Sequence, residues 1–330
     1  MSKELIFAIL LFVVGLVMLI FGGDWFVDGA SGIAKRFHIP ELLIGATVVS
    51  IGTTLPEVMV SATSAVKGSG AISYGNAIGS VICNTALIAA LTITIRPSET
   101  DRKTLLIPVA FFFASAVLYA ITAYVFKRFD RWIGIVLLLI FVAYITLSSI
   151  QAKKASALLG ENSEEKPEDN GGKKGVIKDI IFLVFGATLI AFGANLLVDN
   201  GIKIAIEIHI PESVIALTFV ALGTSLPELV TAITSLIKGH GSLSLGNLIG
   251  ANLFNIVFVS GLSVAIRPFD VPAEATFMGI NRSFIIDIPV MFAVMLILTV
   301  PPLIKNKLSR WQGITLLAIY AAFCVIQFAF

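Results

Sequence analysis

The chain has 330 residues, of which 57% are hydrophobic and only 13% charged, with a mean hydropathy of +0.97. Soluble proteins carry about 25% charged residues, so a water-soluble globular enzyme is excluded, because so few charges would not cover its surface. The net charge of +2 and pI near 8.5 give no footprint for a nucleic-acid partner, and Cys83 and Cys324, each inside an apolar run, form neither a disulfide framework nor a metal motif.

At roughly 20 residues per transmembrane helix, the apolar runs predict an all-α polytopic membrane protein with ten spans. They cover residues 4–33, 41–66, 71–92, 103–126 and 131–151, then 177–205, 212–237, 242–265, 282–303 and 310–329. Lys3 ahead of Leu5–Phe21 imitates a signal peptide. No small-residue cleavage site follows, only Gly22-Gly23-Asp24-Trp25, and the run has a counterpart in mid-chain, so it is the first helix. The second and seventh spans each carry a Gly, a Pro and a Glu in their middles. Residues 155–176, with Glu161, Glu164, Glu165, Glu168 and Asp169 beside Gly171-Gly172-Lys173-Lys174, are too polar to bury a core. They read as a mobile linker between a first unit, 1–154, and a second, 177–330.

The two units are one sequence written twice. His38-Ile39-Pro40-Glu41 recurs as His209-Ile210-Pro211-Glu212, and Gly52-Thr53-Thr54-Leu55-Pro56-Glu57 as Gly223-Thr224-Ser225-Leu226-Pro227-Glu228. Gly75-Asn76-Ala77-Ile78-Gly79 recurs as Gly246-Asn247-Leu248-Ile249-Gly250, and the offset is the same in every pair. The register holds from Phe21/Phe192 to Pro97/Pro268, then slips before Arg131-Trp132/Arg310-Trp311. Five spans per repeat is an odd number, so the second repeat enters the membrane from the opposite side, giving two inverted five-helix repeats. Lys and Arg are richer in the connections on the linker's side, which places the linker in the cytoplasm and the termini outside; the expected location is the plasma (inner) membrane.

The chemistry lies in the twinned segments. Glu57 and Glu228 both fall within hydrocarbon depth, where a charged side chain costs at least about 2.5–3.5 kcal/mol. Two structural glutamates, each protonated or bonded to a neighbouring helix, would be the duller explanation. It leaves Gly52 and Pro56 unexplained, because these free the carbonyls around Ser50–Thr53 from helical hydrogen bonding, and the same follows around Ala221–Thr224. Non-helical backbone at this depth lines a cavity or is buried in protein. Carboxylates, hydroxyls and free carbonyls together suit a hard cation. Ca²⁺ takes 6–8 oxygens, which two carboxylates and the freed carbonyls can supply. Na⁺ would use the same carbonyls with Thr53, Thr54, Thr224, Ser225 and Ser80. The absence of a His or Cys cluster argues against a soft transition metal, and His38, His209 and His240, near span ends, read as interfacial.

These paired segments, each followed by Gly-Asn-x-Ile-Gly and a further Asn, resemble the two α-repeats of the cation/calcium exchanger superfamily, the prokaryotic sodium/calcium exchangers above all. The proton-coupled branch typically has Gly-Asn-Ala-Thr-Glu where this chain has Gly-Thr-Thr-Leu-Pro-Glu. The resemblance implies a secondary antiporter without a cofactor, functional as a monomer, whose first and sixth helices slide past an eight-helix core. It implies that Glu57 and Glu228 ligate Ca²⁺ with the carbonyls of Thr53 and Thr224. Sodium would use the carbonyls of Ser50 and Ala221, with Thr53, Thr54, Ser80, Thr224 and Ser225, while Asn84 and Asn255 face the same cavity. Two positions depart from the pattern. Ala251 stands where a serine would match Ser80, which removes an oxygen from a sodium position and keeps proton-coupled Ca²⁺ exchange as the alternative. Asn255 stands where some relatives have Asp, which argues against potassium co-transport.

Several features have simpler readings. Asp24, Asp28 and Asp199 read as solvated interfacial carboxylates, and Arg131-Trp132 and Arg310-Trp311 as interface anchors. A cation channel would assemble its pore from several equivalent filters, and an intramembrane enzyme would need a nucleophile or metal motif that the sequence lacks.

Overall fold

The structure, a computed structural model, describes residues 3–162, 172–207, 223–273, 276–277 and 279–329. Ten helices run in chain order: α1 (Lys3–Arg36), α2 (Glu41–Lys67), α3 (Gly70–Ile95), α4 (Arg102–Phe126), α5 (Arg131–Asn162), α6 (Gly172–Glu207), α7 (Leu226–Ile237), α8 (Gly241–Ile266), α9 (Ser283–Lys305) and α10 (Arg310–Ala329). The ten expected spans are thus recovered, the first half of the seventh lying outside the described residues. Helical backbone also covers 155–162 and 172–176 of the segment read as a linker; 163–171 lie outside the described residues. Two-residue ribbons, β1 (Arg128–Phe129) with β2 (Phe269–Asp270) and β3 (Thr276–Phe277) with β4 (Ile280–Asn281), are the strands among the described residues.

The inversion is visible where α1 crosses α6. A methyl on Gly15 would fall 2.8 Å from the Gly193 carbonyl oxygen, and one on Gly186 would fall 2.8 Å from the Gly22 carbonyl oxygen. Residue numbers rise along α1 as they fall along α6, so the helices are antiparallel. Gly186 and Gly193 are the repeat mates of Gly15 and Gly22, so the two contacts exchange under the repeat symmetry. Only glycine lets the backbones approach so closely, the small-residue contact that lipid-embedded helices use.

The ends of the molecule repeat the same logic. Gly68 and its repeat mate Gly239 both take φ of +85°, a conformation glycine adopts without strain, and end α2 and α7. Arg96 Nη1 at the end of α3 donates to the Leu236 carbonyl at 3.3 Å, and its mate Arg267 packs against Gly68. All these contacts sort into two faces. One, the linker face, holds the ends of α1, α3, α5 and α7; the other, the termini face, holds the ends of α2, α4, α6 and α8. Arg131 does more than anchor at the interface, since it donates to the last carbonyls of α8, Ala265 at 3.0 Å and Ile266 at 3.3 Å. A cation suits that helix end. Trp132 and Trp311 remain half-exposed, as interfacial rings do.

Packing separates the helices into two bodies. α3 and α8 are 72% and 78% buried across their apolar windows, while α1 and α6 are each only 22% buried. One large apolar core joins α3, α4, α5, α8, α9 and α10 around Ile82, Phe112, Tyr119, Phe254 and Met291. A smaller cluster, with Phe26, Val27, Ile44, Val49 and Ile190, holds α1 and α6 against the beginning of α2. The outward apolar side chains of α1, α5 and α6 face what would be lipid.

Candidate functional site

The site forms where the Gly-Pro-Glu segments of α2 and α7 meet α3 and α8 in the middle of the bundle. In α2 the chain makes a π turn over Gly45–Val49 and then continues as α-helix from Ser50 to Lys67 with Pro56 inside it. The expected break is therefore a widened turn. Pro56 lacks the N–H that would bond Gly52, and the π turn just upstream absorbs the distortion without unwinding the helix. In α7 the order differs: Gly223–Ser225 form a turn, the helix runs from Leu226, and Pro227 falls in its first turn, where its missing N–H is no loss.

The structure buries nearly all the expected residues. Ser50, Glu57, Asn84, Glu228 and Asn255 are completely buried, Thr53, Thr54, Ser80 and Ser225 nearly so, and Thr224 partly. Ala221 lies outside the described residues. Thr54 Oγ1 donates to Glu228 Oε1 across the repeat boundary at 3.5 Å, and Thr53 Oγ1 donates to Asn247 Oδ1 at 3.1 Å. Ala251 is fully buried, and its side chain brings no oxygen.

What the site lacks is as informative. Among the described residues no Lys or Arg pairs with either glutamate. Both oxygens of Glu57, Oε2 of Glu228, Oγ of Ser225 and all four amide atoms of Asn84 and Asn255 have no hydrogen-bond partner there. A buried polar group left unpaired costs about 1–3 kcal/mol, and more when charged. Two buried carboxylates without a basic partner, together with the unpaired buried polar atoms of Ser225, Asn84 and Asn255, suit bound cations or protons carrying two positive charges in all. The described residues hold no group of three or more His, Cys, Asp or Glu side chains, so the donor set stays hard and oxygen-based.

Sequence reasoning treated Asn76 and Asn247 as repeat markers and gave them no role. Asn76 Nδ2 donates to the Glu57 backbone carbonyl at 3.2 Å and to Ser61 Oγ at 2.8 Å, fixing the turn that carries the carboxylate. Asn247 instead accepts from Thr53. Asn84 and Asn255, themselves repeat mates, open the π turns Asn84–Ala89 and Asn255–Val259. Such turns are frequent at functional sites. Asn252, also missed, donates to Thr85 Oγ1 at 2.7 Å and ties α8 to α3 beside the site. Above the two proline segments lie Phe26 of α1 and Ala187, Ile190 and Ala191 of α6, enclosing a small void against Gly52, Pro56 and Pro227. The α1–α6 pair is thus the cover of the site.

A bundle of inverted five-helix repeats with one buried glutamate without a basic partner in each has the build of a secondary cation transporter. The chain matches the sodium/calcium exchanger protein family over residues 7–150 and 178–329 and belongs to it. It is 36% identical over 313 residues to an uncharacterized membrane protein of Methanocaldococcus jannaschii, covering 94% of each chain. It is 32% identical over 350 residues to the sodium/calcium exchanger MaX1 of Methanosarcina acetivorans, covering 97% of this chain and 98% of that one. Among solved structures it resembles the sodium-calcium exchanger NCX_Mj soaked with Na⁺ and Sr²⁺, with a TM-score of 0.79, 32% identity and coverage of 98% and 99%.

Proposed function

We propose that the chain is an antiporter that exchanges Ca²⁺ for Na⁺ by alternating access at this site. The observation that carries the reading is the pair Glu57 and Glu228, buried without a basic partner and with three carboxylate oxygens unpaired among the described residues. Ca²⁺ brings the charge of that pair to zero, and with the carbonyls of Thr53 and Thr224 the oxygens approach the number it takes. Na⁺ ions occupy the surrounding oxygens: the carbonyls of Ser50 and Ala221, and the hydroxyls of Thr53, Thr54, Thr224, Ser225 and Ser80. Asn84 and Asn255 line the same cavity with neutral amides. Exchange follows because either ion set neutralises the pair and neither fits while the other is bound. The names of MaX1 and NCX_Mj, both sodium/calcium exchangers, support this choice of ions.

In this reading units 1–154 and 177–330 act as a monomer without a cofactor, in the plasma (inner) membrane, with the linker cytoplasmic and the termini outside. Coupling to protons is the second reading, favoured by Ala251, which supplies no hydroxyl opposite Ser80. The test is Ca²⁺ uptake into proteoliposomes. Uptake driven by an outward Na⁺ gradient is the expected result; uptake driven by a pH gradient and indifferent to Na⁺ overturns the sodium assignment.

A further inference from the structure

The repeat symmetry exposes an asymmetry that the ion site does not explain. On the linker face Lys238, just past α7, places Nζ 2.8 Å from Asp28 Oδ1 and 3.3 Å from Asp24 Oδ1 on α1. It also donates to the Asp24 carbonyl at 3.0 Å. The repeat mates of Lys238 and Asp28 are Lys67 and Asp199. These lie on the termini face, both exposed, with no partner among the described residues. The sequence therefore writes the same acid–base pair twice, and the structure forms it once.

The packing beneath the pairs differs in the same sense. On the linker face Gly23 of α1 presses on α7, where a methyl at Gly23 would meet Thr234 Oγ1 at 2.7 Å and Val230 Cγ1 at 2.8 Å. The repeat mate of Gly23 is Ala194 on α6, and those of Thr234 and Val230 are Thr63 and Met59 on α2. Met59 is 65% exposed and Thr63 is exposed, so α6 has not closed on α2. Meanwhile α1 and α6 are locked to each other by their glycine crossing and by an ion pair between Arg36 and Asp179. They form one body that rests on α7 and on the beginning of α2 but stands off the later part of α2, where Met59 and Thr63 are exposed.

We propose that Lys238–Asp28 and Lys67–Asp199 are alternating latches: the first closes the linker face in the state seen here, and the second closes the termini face in the opposite state. The inference rests on the alternating-access reading above. In an inverted repeat the opposite-facing state arises when the two halves exchange conformations around a fixed site. The α1–α6 body then leaves α7, Ala194 covers Met59 and Thr63, and Asp199 meets Lys67. The latches are unequal, because the mate of Asp24 is Asn195 and the second latch has one carboxylate instead of two. The pair on the linker face is therefore the stronger latch and favours closure of that face. An exposed ion pair biases such an equilibrium by about fivefold or less.

The test is cysteine cross-linking in reconstituted full-length protein, with Cys83 and Cys324 replaced by Ala and flux retained. The pair Asp28→Cys/Lys238→Cys should cross-link at rest and stop Ca²⁺ flux until reduced. The pair Lys67→Cys/Asp199→Cys should cross-link at least about tenfold more slowly at rest, and speed up when transported cations are present on both sides. In that second background Lys238→Gln, and separately Asp24→Asn, should each raise the cross-linking rate about two- to fivefold. Combining Asp28→Lys with Lys238→Asp in that background should bring the rate back toward the resting value. The proposal is overturned if the 67/199 pair stays unlinked during measured transport, or if protein linked at 28/238 keeps transporting. These outcomes are independent of which ion drives Ca²⁺. Flux driven by protons alone, with the cross-links exchanging as expected, would reject the sodium assignment and leave the latches standing.

Discussion

Thr54 on α2 donates to Glu228 on α7 at 3.5 Å, joining the two repeats through a buried bond. Their repeat mates, Ser225 and Glu57, make no such bond, and Ser225 Oγ and both Glu57 oxygens are unpaired among the described residues. One carboxylate is thus held by the opposite repeat, while the other is fixed only through its backbone, where Asn76 Nδ2 donates to the Glu57 carbonyl. The site is built by symmetry and used asymmetrically.

Glu57→Gln and Glu228→Gln should each abolish Ca²⁺ transport while leaving expression near normal. Each removes one of two charges at the site's centre, and the neutral amide is easier to bury than an unpaired carboxylate. Ca²⁺ flux in reconstituted vesicles checks this, and wild-type flux in either variant would sink the assignment.

Asn76→Ala should weaken Ca²⁺ binding without removing any ligand. It deletes the bonds to the Glu57 carbonyl and to Ser61 Oγ, leaving buried groups unpaired at about 1–3 kcal/mol each. The expected result is a lower melting temperature together with a several-fold higher Ca²⁺ Kd. An unchanged Kd would show that the Glu57 turn does not need this support.

Gly15→Val should separate α1 from α6. A first methyl already falls 2.8 Å from both the Gly193 oxygen and the Leu197 nitrogen, backbone atoms that cannot rotate away. Overpacking of this kind costs about 1–3 kcal/mol. Thermal unfolding in detergent should show the loss, with transport reduced; a variant as stable and active as wild type would refute the close crossing.

Ala251→Ser should restore a hydroxyl opposite Ser80 and strengthen Na⁺ binding more than Ca²⁺ binding. Na⁺ gains an oxygen at a peripheral position, whereas Ca²⁺ depends on the central carboxylates. The Na⁺ concentration that half-drives Ca²⁺ movement should fall several-fold. An unchanged Na⁺ requirement, or a change confined to Ca²⁺ affinity, would argue against a sodium position there.

The spans, the duplication and the buried glutamates were legible because apolar length and a polar register repeated at one constant offset are properties of the chain itself. The inversion followed from five spans per repeat, and the Gly15–Gly193 and Gly22–Gly186 contacts now display it. What escaped is what differs between copies with the same local sequence. Asn76 and Asn247 occupy equivalent positions, yet one supports Glu57 and Ser61 and the other accepts from Thr53, because each faces a different neighbour. Asp28 and Asp199 read alike as solvated carboxylates, but only Asp28 meets a lysine. His240, read as interfacial, lies with Nδ1 2.7 Å from Glu41 Oε1. The π turns at Asn84 and Asn255 carry no periodic signal; an Asn in mid-span was their one trace.

Competition between the two cations measures the central claim most directly. Ca²⁺ binding to purified protein should be titrated at rising Na⁺ concentrations. If Glu57 and Glu228 form one shared site, at least two Na⁺ ions must enter to match the charge of each Ca²⁺ displaced. The logarithm of the apparent Ca²⁺ Kd should then rise against the logarithm of Na⁺ concentration with a slope of about two or more, and Glu57→Gln should bind no Ca²⁺ at all. A Kd indifferent to Na⁺, or Ca²⁺ binding that survives Glu57→Gln unchanged, would contradict a shared site.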